Sequence, residues 1–177
     1  MLKLNAAQLR KGKGERVKGK VKKQEIYIVL DNILDTYNIG SIFRLADAVA
    51  AKKVYLCGDT ETPPNHRIKK ASINTTEWVT WIYKETVIEA INDIRSTIND
   101  IQIIAVEQSK KSVPYDKFDY KLPICLVVGN ETTGVSKKIL DLADAIVELP
   151  MFGVNISLNV MVSLGIVLYE VIEVVKI

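Results

Sequence analysis

Runs of apolar and β-branched residues, five or six long, recur along the chain with polar, glycine-bearing stretches between them. Residues 25–30 (EIYIVL), 53–57, 79–83, 102–106, 124–128 and 145–149 read as strands. The run at 124–128 is apolar enough to lie in the middle of a sheet. Between the strands the period changes. Ile39, Ile42, Phe43, Ala46 and Val49 recur at helical spacing behind the turn residues of 31–38, with Asn38 suited to cap the N-terminus and Arg44 on the more polar side. Thr86 and Glu89 make a capping box that opens an amphipathic helix ending near Ile98. A short helix is expected over 136–142, and a long apolar one over 157–175.

Strands alternating with helices predict an α/β fold: a mostly parallel sheet flanked by helices, with ligands bound beyond the carboxyl ends of the strands. Two connections are long. Residues 58–72 (GDTETPPNHRIKKAS) read as a loop of the length that usually carries function, and 107–121 reads as a polar connector. The first holds the only histidine, His66, read as a surface residue, beside Arg67, Lys69 and Lys70, a basic lip suited to phosphate.

At 177 residues, 48% hydrophobic and 25% charged, the chain fits one domain with a sizeable core, and no internal repeat is visible. Cys57 and Cys125 sit within strand-like runs without disulfide or metal spacing, so buried thiols in a reducing compartment and no metal are expected. The first residues lack an apolar leader core, and no stretch has 18 uninterrupted apolar residues. Even the apolar C-terminal run is broken by Ser157, Asn159, Ser163, Glu170 and Glu173. A cytoplasmic protein that does not engage a membrane is expected.

The net charge of +3 hides an asymmetry. Residues 1–23 hold nine Lys or Arg against Glu15 alone, a local +8, and the remaining 15 basic and 20 acidic residues leave the rest at −5. A flexible basic arm, 1–23, is therefore expected ahead of a folded domain, 24–177. Such an arm fits a solvated leader as well as an RNA grip, and only signs of an RNA substrate in the rest of the chain tip the balance.

Three loops carry the chemistry: 38–44 (NIGSIFR), 129–134 (GNETTG) and 150–159 (PMFGVNISLN). Ser157, Leu158 and Asn159 are expected at the mouth of the terminal helix, where free N–H groups and side-chain oxygens converge; by itself Ser157 reads first as a cap. GNETTGVS has P-loop glycine spacing, but Val135 stands where the lysine must be and Glu131 would face the phosphates. A glycine turn with a carboxylate suits an uncharged adenosine carrying a cation, as in S-adenosylmethionine, although such a turn is more often only a turn. One histidine and no G-x-S-x-G leave no histidine-based serine triad, and no G-x-G-x-x-G follows the first strand. The polar set Asn38, Arg44, Glu131, Ser157 and Asn159 is suited to orienting a phosphate-bearing alcohol.

In order and spacing these loops resemble the three signature motifs of the SpoU family of RNA ribose 2'-O-methyltransferases, the TrmH-like branch of the SPOUT fold. Asn38, Gly40 and Arg44 match N-x-G-x-x-x-R; Gly129, Glu131 and Gly134 match G-x-E-x-x-G. Pro150, Met151 and Gly153, then Ser157, Leu158 and Asn159, match P-M-x-G followed by S-L-N. Met161 departs from the pattern, standing where many members carry serine or alanine. The likeness runs from about Ile26 to Glu170.

The resemblance implies a C-terminal trefoil knot and a homodimer whose terminal helix forms part of the interface. It implies S-adenosylmethionine held by Val106, Glu107, Gly129, Leu149, Met151 and Leu158, largely through backbone groups. It also implies methyl transfer to a ribose 2'-hydroxyl of tRNA or rRNA, with Arg44, Asn38, Glu131, Ser157 and Asn159 as the catalytic set. Guanidinium groups hold their proton in proteins, so Arg44 is read as positioning phosphate and hydroxyl and stabilising alkoxide charge. The alternatives are an RNA-binding module that keeps the fold without the chemistry and, less favoured, a flavodoxin-like ligand sensor.

Overall fold

The computed structural model describes residues 3–11, 13 and 19–176. Seven strands form one sheet: β1 (Gln24–Asp31), β2 (Ala51–Cys57), β3 (Trp81–Lys84), β4 (Gln102–Val106), β5 (Val113–Pro114), β6 (Ile124–Gly129) and β7 (Ala145–Glu148). Their order is β3-β2-β1-β6-β4-β7-β5, and every pairing is parallel. Parallel strands are crossed by helices on both faces, which is why β1 and β6 are buried almost end to end.

The six helices are α1 (Ala6–Arg10), α2 (Thr36–Ala48), α3 (His66–Ser72), α4 (Val87–Thr97), α5 (Lys137–Leu142) and α6 (Val160–Val175). Alternation along the strands sorts the core into two layers. Ile26, Ile28 and Leu30 of β1 face α2, α3 and α6 through Ile42, Phe43, Ile68, Leu164 and Leu168. Tyr27 and Val29 face the other way, onto Ile91 and Ile94 of α4 and Ile139 of α5. Both cysteines lie in this second layer and are free. Burial, with Asp31 nearby, pushes the Cys57 thiol up to about 12, so it stays protonated and unreactive near neutral pH.

The structure moves several expected boundaries. Asn38 does not cap α2: Asp35 does, its carboxylate accepting the Tyr37 N–H at 2.8 Å, and Asn38 sits buried in the first turn. The terminal helix starts at Val160 because Asn159 Oδ1 accepts the N–H groups of Met161 and Val162; Ser157 and Leu158 lie in the exposed loop ahead of it. Residues 66–72, expected as loop, form α3, opened by Asn65 accepting from Arg67 N and Ile68 N. Val79 belongs to a turn, its N–H returning to Thr75 O, so the third strand begins at Trp81. The connector 107–121 contains β5 and a 3₁₀ turn, Tyr115–Lys117.

The expected basic arm falls partly outside the described residues. Within them, α1 opens with a capping box between Asn5 and Gln8, and Leu9 packs against the core. No helix among the described residues is long and apolar enough to cross a membrane.

Candidate functional site

The parallel registers bring the ends of β1, β6, β4 and β7 to one edge of the sheet, where Asp31 pairs with Gly129 and Val106 with Val147. The loops leaving β4, β6 and β7 enclose a cleft of about 500 Å³, within the range of small-molecule sites. Val106, Glu107, Gly129, Leu149, Met151 and Leu158 all line it, as do Glu131, Ser157 and Asn159.

Asn38 stands one hydrogen bond behind the wall. Its Nδ2 donates to Glu131 Oε1 at 2.9 Å, and its Oδ1 accepts from Asn159 Nδ2 at 3.0 Å, so one buried amide joins the first, second and third sequence motifs. Glu131 also receives the N–H groups of Leu34 and Asp35 at the start of α2, where the helix dipole favours an anion. Partial burial works to raise the Glu131 carboxyl, but the donations from Asn38 and from backbone N–H groups, its own included, outweigh it. The group is held below the usual carboxylate range.

Gly129 is required by a close approach: a Cβ there would run into Val135 N and the Gly134 carbonyl group, because the loop doubles back on the strand end. Asn130 closes that turn, accepting from Thr132 N and Thr133 N and donating to Asn32 O at 2.8 Å. Glu107 braces it from β4, its Oε2 accepting Val135 N at 2.9 Å and its Oε1 the Gln108 N–H.

Gln108 and Asn130 escaped the sequence reading. Gln108 Nε2 donates to Ile156 O at 2.7 Å and so ties the 151–158 loop to the β4 end. Asn130 had a usable signal, an Asx residue between glycine and a polar turn; Gln108, one polar residue in a polar connector, had none.

Arg44 is not brought to the cleft. It is exposed on α2, six residues and about 9 Å along the axis from Asn38, and its guanidinium makes no hydrogen bond or ion pair among the described residues.

The walls decide what the cleft can take. Val106, Val128, Leu149, Met151 and Leu158 supply apolar surface for a flat uncharged ring, and Glu107, Glu131 and Glu148 supply carboxylates; among the described residues no Lys or Arg lines it. A polyphosphate does not fit such a lining, and a cationic adenosine derivative does. Among the described residues, no three or more His, Cys, Asp or Glu are grouped to hold a metal ion.

Comparison with known proteins is consistent with this lining. A model described as the SpoU rRNA Methylase family matches residues 25–169. A tRNA (guanosine(18)-2'-O)-methyltransferase of Aquifex aeolicus is 36% identical over 155 residues, spanning 84% of this chain and 69% of that protein. Its Escherichia coli K12 namesake is 29% identical over 149 residues, covering 82% of this chain and 62% of the relative. The crystal structure of the A. aeolicus TrmH/SpoU tRNA modifying enzyme superposes with a TM-score of 0.78 at 29% identity, over 97% of this chain and 82% of that one. An AdoMet-bound rRNA methyltransferase from Sinorhizobium meliloti gives the same TM-score and identity over 86% of this chain and 57% of that one. The match leaves out little but the N-terminal 24 residues and the last turns of α6, and on that extent the chain belongs to the SpoU rRNA methylase family.

Proposed function

We propose that this chain transfers a methyl group from S-adenosylmethionine to a ribose 2'-hydroxyl of tRNA or rRNA. The observation that carries the reading is the hydrogen-bond chain Asn159–Asn38–Glu131 at the mouth of a cleft that, among the described residues, no Lys or Arg lines. The relatives named as tRNA guanosine 2'-O-methyltransferases and the AdoMet-bound neighbour support the same substrate class and cofactor.

S-adenosylmethionine, when bound, supplies an electrophilic methyl on a sulfonium. The chain supplies position. Val106, Gly129, Leu149, Met151 and Leu158 hold the adenosine, with Glu107 fixing the turn beneath it. Asn38, Glu131 and Asn159 form a rigid polar rim against which a ribose is set, with Ser157 beside it, and alignment of this kind contributes much of the acceleration. The unpaired Arg44 holds a substrate phosphate and stabilises negative charge as the hydroxyl loses its proton.

Two finer features belong to this proposal. One is a trefoil knot, in which the segment from β7 into α6 passes through a preceding loop. The other is a homodimer joined through α6 and the 151–158 loop. In the dimer the RNA groove runs over both protomers, which gives Arg44 a place in it without lining the cleft of its own chain.

Incubation with methyl-labelled cofactor and total RNA, followed by digestion to nucleosides, tests the reading. Label on 2'-O-methyl nucleosides, lost in Arg44→Ala, is the expected result. Label on a base defeats the assignment. Failure to bind the cofactor by calorimetry, with RNA still bound, selects the non-catalytic RNA-binding module instead.

A further inference from the structure

We infer that the outward side of α3, carrying Arg67 and Lys70, is a phosphate-binding surface for the RNA substrate that links the reaction centre to the basic N-terminal segment. The inference rests on the RNA substrate proposed above and adds where that RNA lies.

The first observation is how α3 meets α2. A Cβ added at Gly40 would lie 2.5 Å from Ala71 Cβ and 2.8 Å from Ile68 O, so the two helices touch backbone to backbone at that point. Gly40 is two residues past Asn38 and four before Arg44. Helix α3 therefore crosses α2 between the residue that joins the motifs and the free guanidinium.

The second is the charge α3 carries outward. Ile68 and Ser72 are buried, while His66, Arg67, Lys69 and Lys70 are exposed. Lys69 is matched by Glu77 at 3.1 Å. The side chains of Arg67 and Lys70, three apart and thus on one face, make no ion pair or hydrogen bond among the described residues, and α3 contains no acidic residue. The nearest acidic residues in sequence, Glu61 and Glu77, lie beyond its ends.

The third is what lies past the end of α3. Ile73 and Asn74 take left-handed conformations that turn the chain, and Asn74 Nδ2 donates to Leu9 O at 3.2 Å. That bond, with the half-buried Leu9 packed against the core, fixes the root of the basic segment beside α3, where Lys11 and Lys13 are exposed. Arg44 on α2, Arg67 and Lys70 on α3, and Lys11 and Lys13 past α1 are exposed, and the line of elements that carries them runs from α2 to α3, which it touches, and on to the N-terminal segment tied to Asn74. A polyanion held at the 2'-hydroxyl end by the cleft would follow that line.

The test uses the full chain and an unmodified tRNA transcript. In Arg67→Ala/Lys70→Ala the dissociation constant for tRNA is expected to rise about tenfold. The slope of its logarithm against log salt is expected to fall by about 2. Calorimetric affinity for S-adenosylmethionine is unchanged. Arg67→Glu/Lys70→Glu deepens the loss, and Lys52→Ala/Lys121→Ala, an equal charge change at the amino ends of β2 and β6, leaves it untouched. A double variant indistinguishable from that control overturns the inference, as does a loss of affinity with an unaltered salt slope, which would mean α3 is only structural. If the wild type methylates RNA and the double variant binds it normally, the surface is wrong and the function stands. If tRNA binding depends on Arg67 and Lys70 but no methyl is transferred, the function is wrong and the surface stands.

Discussion

Asn159 Nδ2 donates to Asn38 Oδ1 at 3.0 Å across 121 positions of sequence, and each partner has only one amide orientation open to it. Asn159 uses its Oδ1 to cap α6, so its Nδ2 must turn toward Asn38; Asn38 must then offer Oδ1 to Asn159 and Nδ2 to Glu131. The pair thus converts helix capping in one motif into side-chain orientation in another.

Asn38→Asp removes the donor to Glu131 and sets two carboxylates against each other, whereas Asn38→Ala only removes the link. Methyl transfer is expected to fall on the order of 100-fold in Asn38→Asp and by less in Asn38→Ala. Cofactor affinity stays within a few-fold, since Asn38 does not line the cleft. Single-turnover rates with saturating cofactor check this, and an Ala variant slower than the Asp variant would count against it.

Glu131 gives a pH signature. Its folded-state pKa lies below the usual carboxylate value, so its contribution to stability is fully present above that value and is lost as pH falls through the folded one. Thermal unfolding of wild type and Glu131→Gln from pH 7 to pH 3 is expected to show a constant gap above about pH 5 that narrows on acidification. A gap that widens in acid reverses the sign and refutes the assignment.

Gly40→Ala places a methyl group against Ala71 and the α3 backbone, with no flexible side chain there to yield. Overpacking of this kind costs about 1–3 kcal/mol. For a chain of this length that lowers Tm by several degrees. With α3 pushed off α2, the variant is also expected to bind tRNA more weakly while its cofactor affinity holds. Calorimetry and filter binding read the two effects separately.

The strands and the motif loops were legible because both leave local traces: β-branched runs buried on two faces, and glycine turns where the backbone doubles back. What was missed depends on partners far along the chain. The capping role went to Asp35 because Asn38 is drawn to Glu131 and Asn159, 93 and 121 positions away. Helix α3 was hidden because His66–Ser72 has only Ile68 and Ser72 to bury, too few to show a period. Gly40 belongs to a motif, yet its structural reason is the crossing of α3, a helix that leaves no period in the sequence. Arg44 shares a motif with Asn38, yet it is exposed on α2 and does not line the cleft of its own chain.

The loop ahead of α6 supplies the last test. Phe152 and Val154 are almost wholly exposed, Ile156 is 79% exposed and Leu158 43%, four apolar side chains at alternating positions that leave much of their surface to solvent. Leaving such a set in water is costly, and contiguous exposed apolar surface marks an interaction site. Val162 and Tyr169 of α6 are exposed as well. Because Met151 and Leu158 of the same loop also line the cleft, covering the loop's outer side would stiffen the cleft on its inner side. The expected state at micromolar concentration is a homodimer by sedimentation velocity. Phe152→Asp/Val154→Asp, at two positions that do not line the cleft, is expected to shift the protein to monomer and to weaken cofactor binding about tenfold, through loss of loop ordering rather than of a direct contact. A monomeric wild type would leave the loop's exposed side chains to some other partner, and a monomeric variant with undiminished cofactor affinity would show that the interface does not order the cleft.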